Sequence, residues 1–214
     1  WSRDNFEEEI KKLIAALEVT PNEVYVDADA NQGWKNAQIT VNAIQRRLAG
    51  YSNLSIEQPL GHSDISGHSY VKKSIDCPVI LDESVLSPEA LIEIIKQEAA
   101  DRVVVKINRV GGIWPARKMA TIAEAANIGV SVDTNPFTKI GDTALCHFAA
   151  TLRDPYPVDA EGHLSFLEEL EPNFIEGGIT VKNGKAKLPD GPGLGVEINE
   201  ERLNSFLEIN RKNR

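Results

Sequence analysis

A chain of 214 residues can bury one sizeable core, and 42% hydrophobic with 26% charged residues argues against a disordered protein. A formal net charge of −9 argues against nonspecific binding to nucleic acid or to an anionic membrane surface, because both are polyanions. Cys77 and Cys146 are too few for a disulfide scaffold and fit a reduced, cytoplasmic setting. No apolar run approaches the ~20 residues of a membrane span, and the N-terminus carries no signal-peptide pattern.

In chain order, Asp4 is placed to cap a helix whose apolar face is Phe6, Ile10, Leu13, Ile14 and Leu17. Pro21-Asn22 ends it, and Val24 to Asp29 reads as a buried strand. Trp34 to Ala49 reads as a helix with Ile39, Val41, Ile44 and Leu48 inward and Gly50 as its stop. Leu54 to Glu57 is a second strand, and Ile65 to Ile75 a weaker helix interrupted by Gly67. Pro78 to Leu81 is a third strand, followed by Ser87-Pro88-Glu89, which supplies an N-cap, a proline in the first turn and an early acidic residue. Arg102 to Ile107 is the fourth strand, and Gly111-Gly112 leads into a helix over Trp114 to Ala126. Ile128 to Asp133 is the fifth strand, Asp142 to Leu152 a helix, and Tyr156 to Asp159 a short sixth strand.

Beyond Glu161 the rhythm changes. Ile179 to Ala186 alternates around Asn183-Gly184, which predicts a hairpin. Pro192 to Gly195 is a rigid loop and Glu200 to Arg211 a final helix. The expected division is a partial barrel over 1–160 and a closing hairpin, loop and helix over 161–214.

The strands end in groups that bind cations or move protons: Asp29, Glu57, Asp82 and Lys106. Successive members stand 28, 25 and 24 residues apart, and Asp133 follows 27 after Lys106. A βαβ unit needs about 30 residues per strand, helix and loops. Polar groups at the same end of successive parallel strands converge on the C-terminal rim of a barrel. Asp27 competes with Asp29, since both lie on one face of the strand. Glu83 competes less well with Asp82, because alternation turns neighbours to opposite faces. His147 reads as a packing residue, and His62, His68 and His163 as loop residues.

Five motifs in order, Asp29-Ala-Asn-Gln-Gly-Trp34, Ile56-Glu-Gln-Pro-Leu60, Leu81-Asp-Glu-Ser84, Lys106 with Gly111-Gly112, and Pro192-Gly-Leu-Gly-Val196, resemble the enolase superfamily. The resemblance is to the C-terminal barrel domain of mandelate racemases and muconate-lactonising enzymes, and it covers roughly residues 4–200. It implies an α/β fold, a (β/α)8 TIM barrel that here lacks its first two strands and the N-terminal α+β capping domain. It further implies that Asp29, Glu57 and Asp82 are Mg²⁺ ligands and that Lys106 is an acid/base residue. Asn31 and Glu83 are expected to orient the site, and Asp133-Thr134 to contact substrate or shape the rim.

Removing a proton α to a carboxylate creates a dianion, and a divalent cation on the substrate carboxylate neutralises that charge as it forms. Hard oxygen ligands suit Mg²⁺, and the absence of a Cys/His cluster argues against Zn²⁺. A lysine acting as base needs a pKa depressed from its usual 10.4, by burial or a neighbouring cation. The resemblance therefore implies racemisation or epimerisation of an amino-acid derivative, of which proline betaines and hydroxyprolines are one type. Dehydration of a hydroxy acid, a lyase reaction, is the rival within the family. A truncated or split chain that only binds metal or a partner is the rival outside it. The expected partners are a small-molecule carboxylate and further copies of the same chain.

Overall fold

The computed structural model describes residues 5–34, 36–133, 138–153, 158 and 174–212. They fall into two compact units, Trp1–Val105 with Lys118–Val130, and Lys106–Arg117 with Ser131–Arg214.

The first unit alternates helices and strands: α1 (Phe6–Val19), β1 (Val26–Asp29), α2 (Ala37–Ala43), β2 (Leu54–Glu57), α3 (Ile65–Ser74), β3 (Val79–Leu81), α4 (Pro88–Gln97) and β4 (Arg102–Val104). After α5 (Ile113–Ala125), β5 (Gly129–Ser131) completes a five-stranded sheet in the order β1-β2-β3-β4-β5. The pairings of β1 with β2, β2 with β3 and β3 with β4 are parallel. Parallel neighbours joined in sequence require a crossover, and each helix between strands supplies one.

Helix α1 buries Phe6, Ile10, Leu13 and Leu17, the side expected from their three- and four-residue spacing. These residues join Ala28, Trp34, Ile44, Leu48, Leu54 and Ile56 in one core cluster. Phe6 meets Trp34 edge to face, with ring centroids 5.5 Å apart. Asp4 lies outside the described residues, and Asn5 stands at the N-cap without a side-chain capping bond.

Several expectations are revised. The helix expected at Asp142 to Leu152 runs over Lys139–Ala149, and the strand expected at Arg102 to Ile107 ends at Val104. The helix placed at Trp34 to Ala49 begins at Ala37, where the Asn36 side chain accepts the Ile39 N–H at 2.9 Å. It widens into a π-helical turn over Ile44–Leu48, which keeps both of those end residues buried. Gly67 does not interrupt α3. It sits in the first turn, where its N–H donates to the capping Asp64 carboxylate at 2.9 Å, and a Cβ there would collide with that carboxylate. His68 is not a loop residue but a fully buried member of α3.

Helix α4 follows its sequence signals. The Ser87 hydroxyl accepts the Ala90 N–H at 3.2 Å, Pro88 opens the helix, and Leu91 and Ile94 are buried.

The second unit contains α6 (Lys139–Ala149), β6 (Ile175–Gly177), β7 (Thr180–Lys182), β8 (Lys185–Lys187), β9 (Val196–Ile198) and α7 (Glu200–Lys212). Strands β7 and β8 form the expected hairpin, with φ of +52° at Asn183 and +68° at Gly184. Both values suit a type I′ turn. Strand β6 pairs antiparallel with β9, a partnership that the sequence did not reveal. The expected strand at Tyr156 to Asp159 lies outside the described residues except for Val158. No helix among the described residues is long and apolar enough to cross a membrane.

Candidate active site

Three carboxylates stand in a row along the sheet. Asp29 and Glu57 close β1 and β2 as direct register partners, so their side chains share a face. Glu57 is in register with Ile80, and Asp82, two residues beyond Ile80, returns to that face. Main-chain rungs continue past the strand ends: Ala30 N–H donates to Glu57 at 2.9 Å and Gln58 N–H to Ile80 at 2.9 Å. Glu57 and Asp82 are buried, and Asp29 is partly exposed.

Burial and neighbouring acidic groups act on two members of this row, Glu57 and Asp29. Burial is the largest influence on Glu57; the negative charges of Asp27, Asp29 and Asp82 and a hydrogen bond with Asp27 add to it. Together they push its carboxyl up to about 9. Asp29 is also raised, by burial first, against a backbone hydrogen bond from Asn31 that lowers it; the charges of Glu83, Asp82 and Asp27 raise it further. The Asn31 N–H donates to Asp29 Oδ1 at 2.8 Å, and the Asn31 amide nitrogen donates to Oδ2.

Asp27, which competed with Asp29 in the sequence, belongs to the same cluster. The Ser55 hydroxyl donates to it at 2.8 Å, and its charge raises Glu57. The Asp-Ala-Asp alternation was the signal for this.

Glu83 accepts from Gln32 Nε2 at 3.1 Å through Oε1, and its other oxygen is buried without a hydrogen-bond partner. Gln32 Oε1 in turn accepts the His62 N–H at 2.9 Å. Gln32 is therefore a site residue that motif reading passed over.

Among the described residues, no three His, Cys, Asp or Glu side chains form a ready-made metal cluster. Asn31 occupies both oxygens of Asp29. The donor set nevertheless fits a hard divalent cation: every candidate ligand is an oxygen, and the buried negative charge is what a cation would offset. A cavity of ≈ 350 Å³, lined by Leu48, Tyr51, Ile75 and Cys77 among others, lies elsewhere, beside the N-terminal ends of β2 and β3. Burial pushes the Cys77 thiol up to about 11, which keeps it uncharged and unreactive.

In the second unit, Lys106 is buried and its Nζ stands 2.6 Å from Asp133 Oδ2. The Lys106 carbonyl accepts from Arg109 N at 3.0 Å and Val110 N at 3.2 Å, which curls the chain away from the strand. Gly111 and Gly112, at φ of +94° and +112°, complete the turn into α5. Sequence spacing singled out both Lys106 and Asp133 but not their contact. Thr134 lies outside the described residues.

A family model described as enolase C-terminal domain-like matches residues 1–202. The chain belongs to the enolase superfamily. It is 34% identical over 200 residues to the N-succinyl-L-Arg/Lys racemase of Bacillus cereus, covering 93% of this chain and 52% of that protein. It is 32% identical to the L-Ala-D/L-Glu epimerase of Bacillus subtilis, over 88% of this chain and 49% of the relative. The solved racemase from Bacillus cereus superposes with a TM-score of 0.82 at 32% identity, over 96% of this chain and 54% of that one. The muconate cycloisomerase of Pseudomonas fluorescens gives 0.84 at 27% identity, over 94% and 54%. The chain thus spans about half the length of the curated relatives it matches. These relatives are racemases, epimerases and cycloisomerases, and members of the superfamily generally use Mg²⁺. The five-stranded parallel sheet is consistent with part of a barrel.

Proposed function

We propose that the chain carries the metal-binding and proton-transfer half of a Mg²⁺-dependent racemase or epimerase acting on a carboxylate-bearing amino-acid derivative. The observation that carries this reading is the row Asp29–Glu57–Asp82, three carboxyl groups brought to one face at the ends of neighbouring parallel strands, where burial and the nearby acidic groups push Glu57 up to about 9. In this reading the five parallel strands are part of an eight-stranded barrel.

Asp29, Glu57 and Asp82 would hold Mg²⁺. When bound, Mg²⁺ supplies a Lewis acid that neutralises charge on the substrate carboxylate as the α-proton leaves. Asn31 orients Asp29, and Glu83 with Gln32 braces the adjoining loop. Lys106 takes the α-proton at Nζ or returns it, and Asp133, 2.6 Å away, holds the ammonium in place between the two events. Racemisation also needs a proton donor or acceptor on the opposite face of the substrate, and among the described residues Lys106 is the only buried lysine.

N-acylated amino acids and dipeptides are the substrate classes to try first, because the racemase and epimerase relatives are named for them. Dehydration, the sequence-based rival, has no relative among those described above. Cycloisomerisation is the second reading, favoured by the TM-score of 0.84 to muconate cycloisomerase. Incubation with N-succinyl amino acids, dipeptides and muconate in D₂O with Mg²⁺, followed by NMR, tests both. Exchange at the α-carbon of an amino-acid derivative, lost on Lys106→Ala, supports racemisation. Lactone formation from muconate without such exchange supports the second reading. No Mg²⁺ binding and no turnover of any class refutes both.

A further inference from the structure

The motif Ile56-Glu57-Gln58-Pro59-Leu60 contains a polar residue with no part in the chemistry above. Gln58 is fully buried, and its φ is +37°, a left-handed backbone that a non-glycine residue adopts at a cost. Such a cost persists only where surrounding bonds hold it, and Gln58 is bonded on every side.

Its main chain serves two neighbours. The N–H donates to Ile80 at 2.9 Å, and the carbonyl accepts the Gln32 N–H at 2.8 Å. In an unbroken parallel ladder that carbonyl would instead accept the Asp82 N–H, as the next rung toward β3. The left-handed turn takes it away, and the side chain replaces it. Gln58 Oε1 accepts the Asp82 N–H at 3.0 Å and the Ser84 N–H at 3.2 Å. Gln58 Nε2 donates to the Leu60 carbonyl at 3.1 Å and to Ser84 Oγ at 2.9 Å. Ser84 Oγ donates onward to the His62 carbonyl at 2.8 Å, and His68 Nε2 accepts the Leu60 N–H at 3.3 Å. The side-chain amide therefore stands in for a peptide unit, and one residue ties the segments that follow β1, β2 and β3.

We propose that Gln58 is a positioning residue: its amide clasps the three segments and sets where the Asp82 carboxylate stands relative to Asp29 and Glu57. The Asn and Glu alternatives fail for different reasons. Asn is one methylene short of the Asp82 and Ser84 amides, and Glu lacks the donors that Leu60 and Ser84 require. The consequence for Mg²⁺ rests on the function proposed above; the clasp itself does not.

The test is amide hydrogen exchange by NMR on the wild-type chain and on Gln58→Met, which keeps the side-chain length and removes both polar atoms. Mg²⁺ affinity is measured in parallel by calorimetry. The expected result is exchange at least tenfold faster at Asp82 and Ser84, with the Ile56 and Leu91 amides unchanged. Mg²⁺ affinity is expected to fall about 10- to 100-fold, as for other groups that hold a metal ligand in place. If Gln58→Met does not fold, Ser84→Ala loosens the same amide through one partner and gives a smaller effect at the same two sites. Unchanged protection at Asp82 and Ser84 overturns the clasp. Lost protection with unchanged Mg²⁺ affinity overturns the positioning role. A wild-type chain that binds no Mg²⁺, with protection lost in the variant, refutes the proposed function while supporting the clasp.

Discussion

Replacing Glu57 with glutamine is expected to stabilise the cation-free chain. The folded protein holds the Glu57 proton up to about 9, against an ordinary value of 4.5. Between those two pH values the folded state binds a proton that the unfolded state has released, so stability falls as pH rises. Each pH unit in that window costs about 1.4 kcal/mol, so the loss between pH 4.5 and pH 7 is about 3 kcal/mol. Glutamine has nearly the shape of a protonated glutamate and carries no charge, so Glu57→Gln escapes the loss. Urea denaturation in EDTA at pH 5, 7 and 8.5 measures it, and the wild-type-minus-variant difference removes the contribution of other groups such as Asp29. The variant should be more stable than wild type at pH 7 by about 3 kcal/mol, with the advantage growing at pH 8.5 and shrinking at pH 5. A difference that is flat across the three pH values would refute the claim that Glu57 is held protonated by its surroundings.

The other predictions concern the metal, the base and the framework. Asp82→Asn should abolish the stabilisation that millimolar Mg²⁺ gives at pH 8, whereas Lys106→Ala should leave it nearly intact; thermal melts with and without Mg²⁺ compare them. Equal loss in the two variants would remove Lys106 from the role of base. Ile10→Ala, at a fully buried position of α1, should cost about 2–4 kcal/mol in urea denaturation. Ser87→Ala removes the cap of α4 and should cost about 1 kcal/mol, while Ser87→Asn, which can accept the same N–H, should cost less.

The elements that were legible in the sequence are those with local causes. Leu54 to Glu57 is a strand with the bounds its apolar run suggested. Ser87-Pro88 opened α4, and Asn183-Gly184 turned the hairpin, because capping and left-handed turns depend on the residues present there. The strand expected from Val24 starts at Val26 instead. Val24 and Tyr25 are more than half exposed, and an apolar run alone does not say how far the neighbouring strand reaches.

The spacing of Asp29, Glu57 and Asp82 was readable because side-chain alternation and the length of a βαβ unit are properties of the chain itself. Their register was not. That Asp29 pairs with Glu57, that Asp27 raises Glu57, and that Lys106 meets Asp133 are relations between residues about 30 positions apart. His68 shows the same limit. In the sequence it reads as a loop residue at the interruption of a weak helix, yet it lies fully buried with Leu60 N–H at its ring nitrogen. Gln58 is the sharpest case. It stands inside a recognised motif, but nothing in the sequence gives it a task, and its role emerges only when the Gln32, Asp82 and Ser84 amides are brought to it. Local sequence determined which groups this protein has to offer at the ends of its strands. Tertiary structure decided which of them share protons, charge and hydrogen bonds, because those energies depend on distances that no single stretch of chain contains.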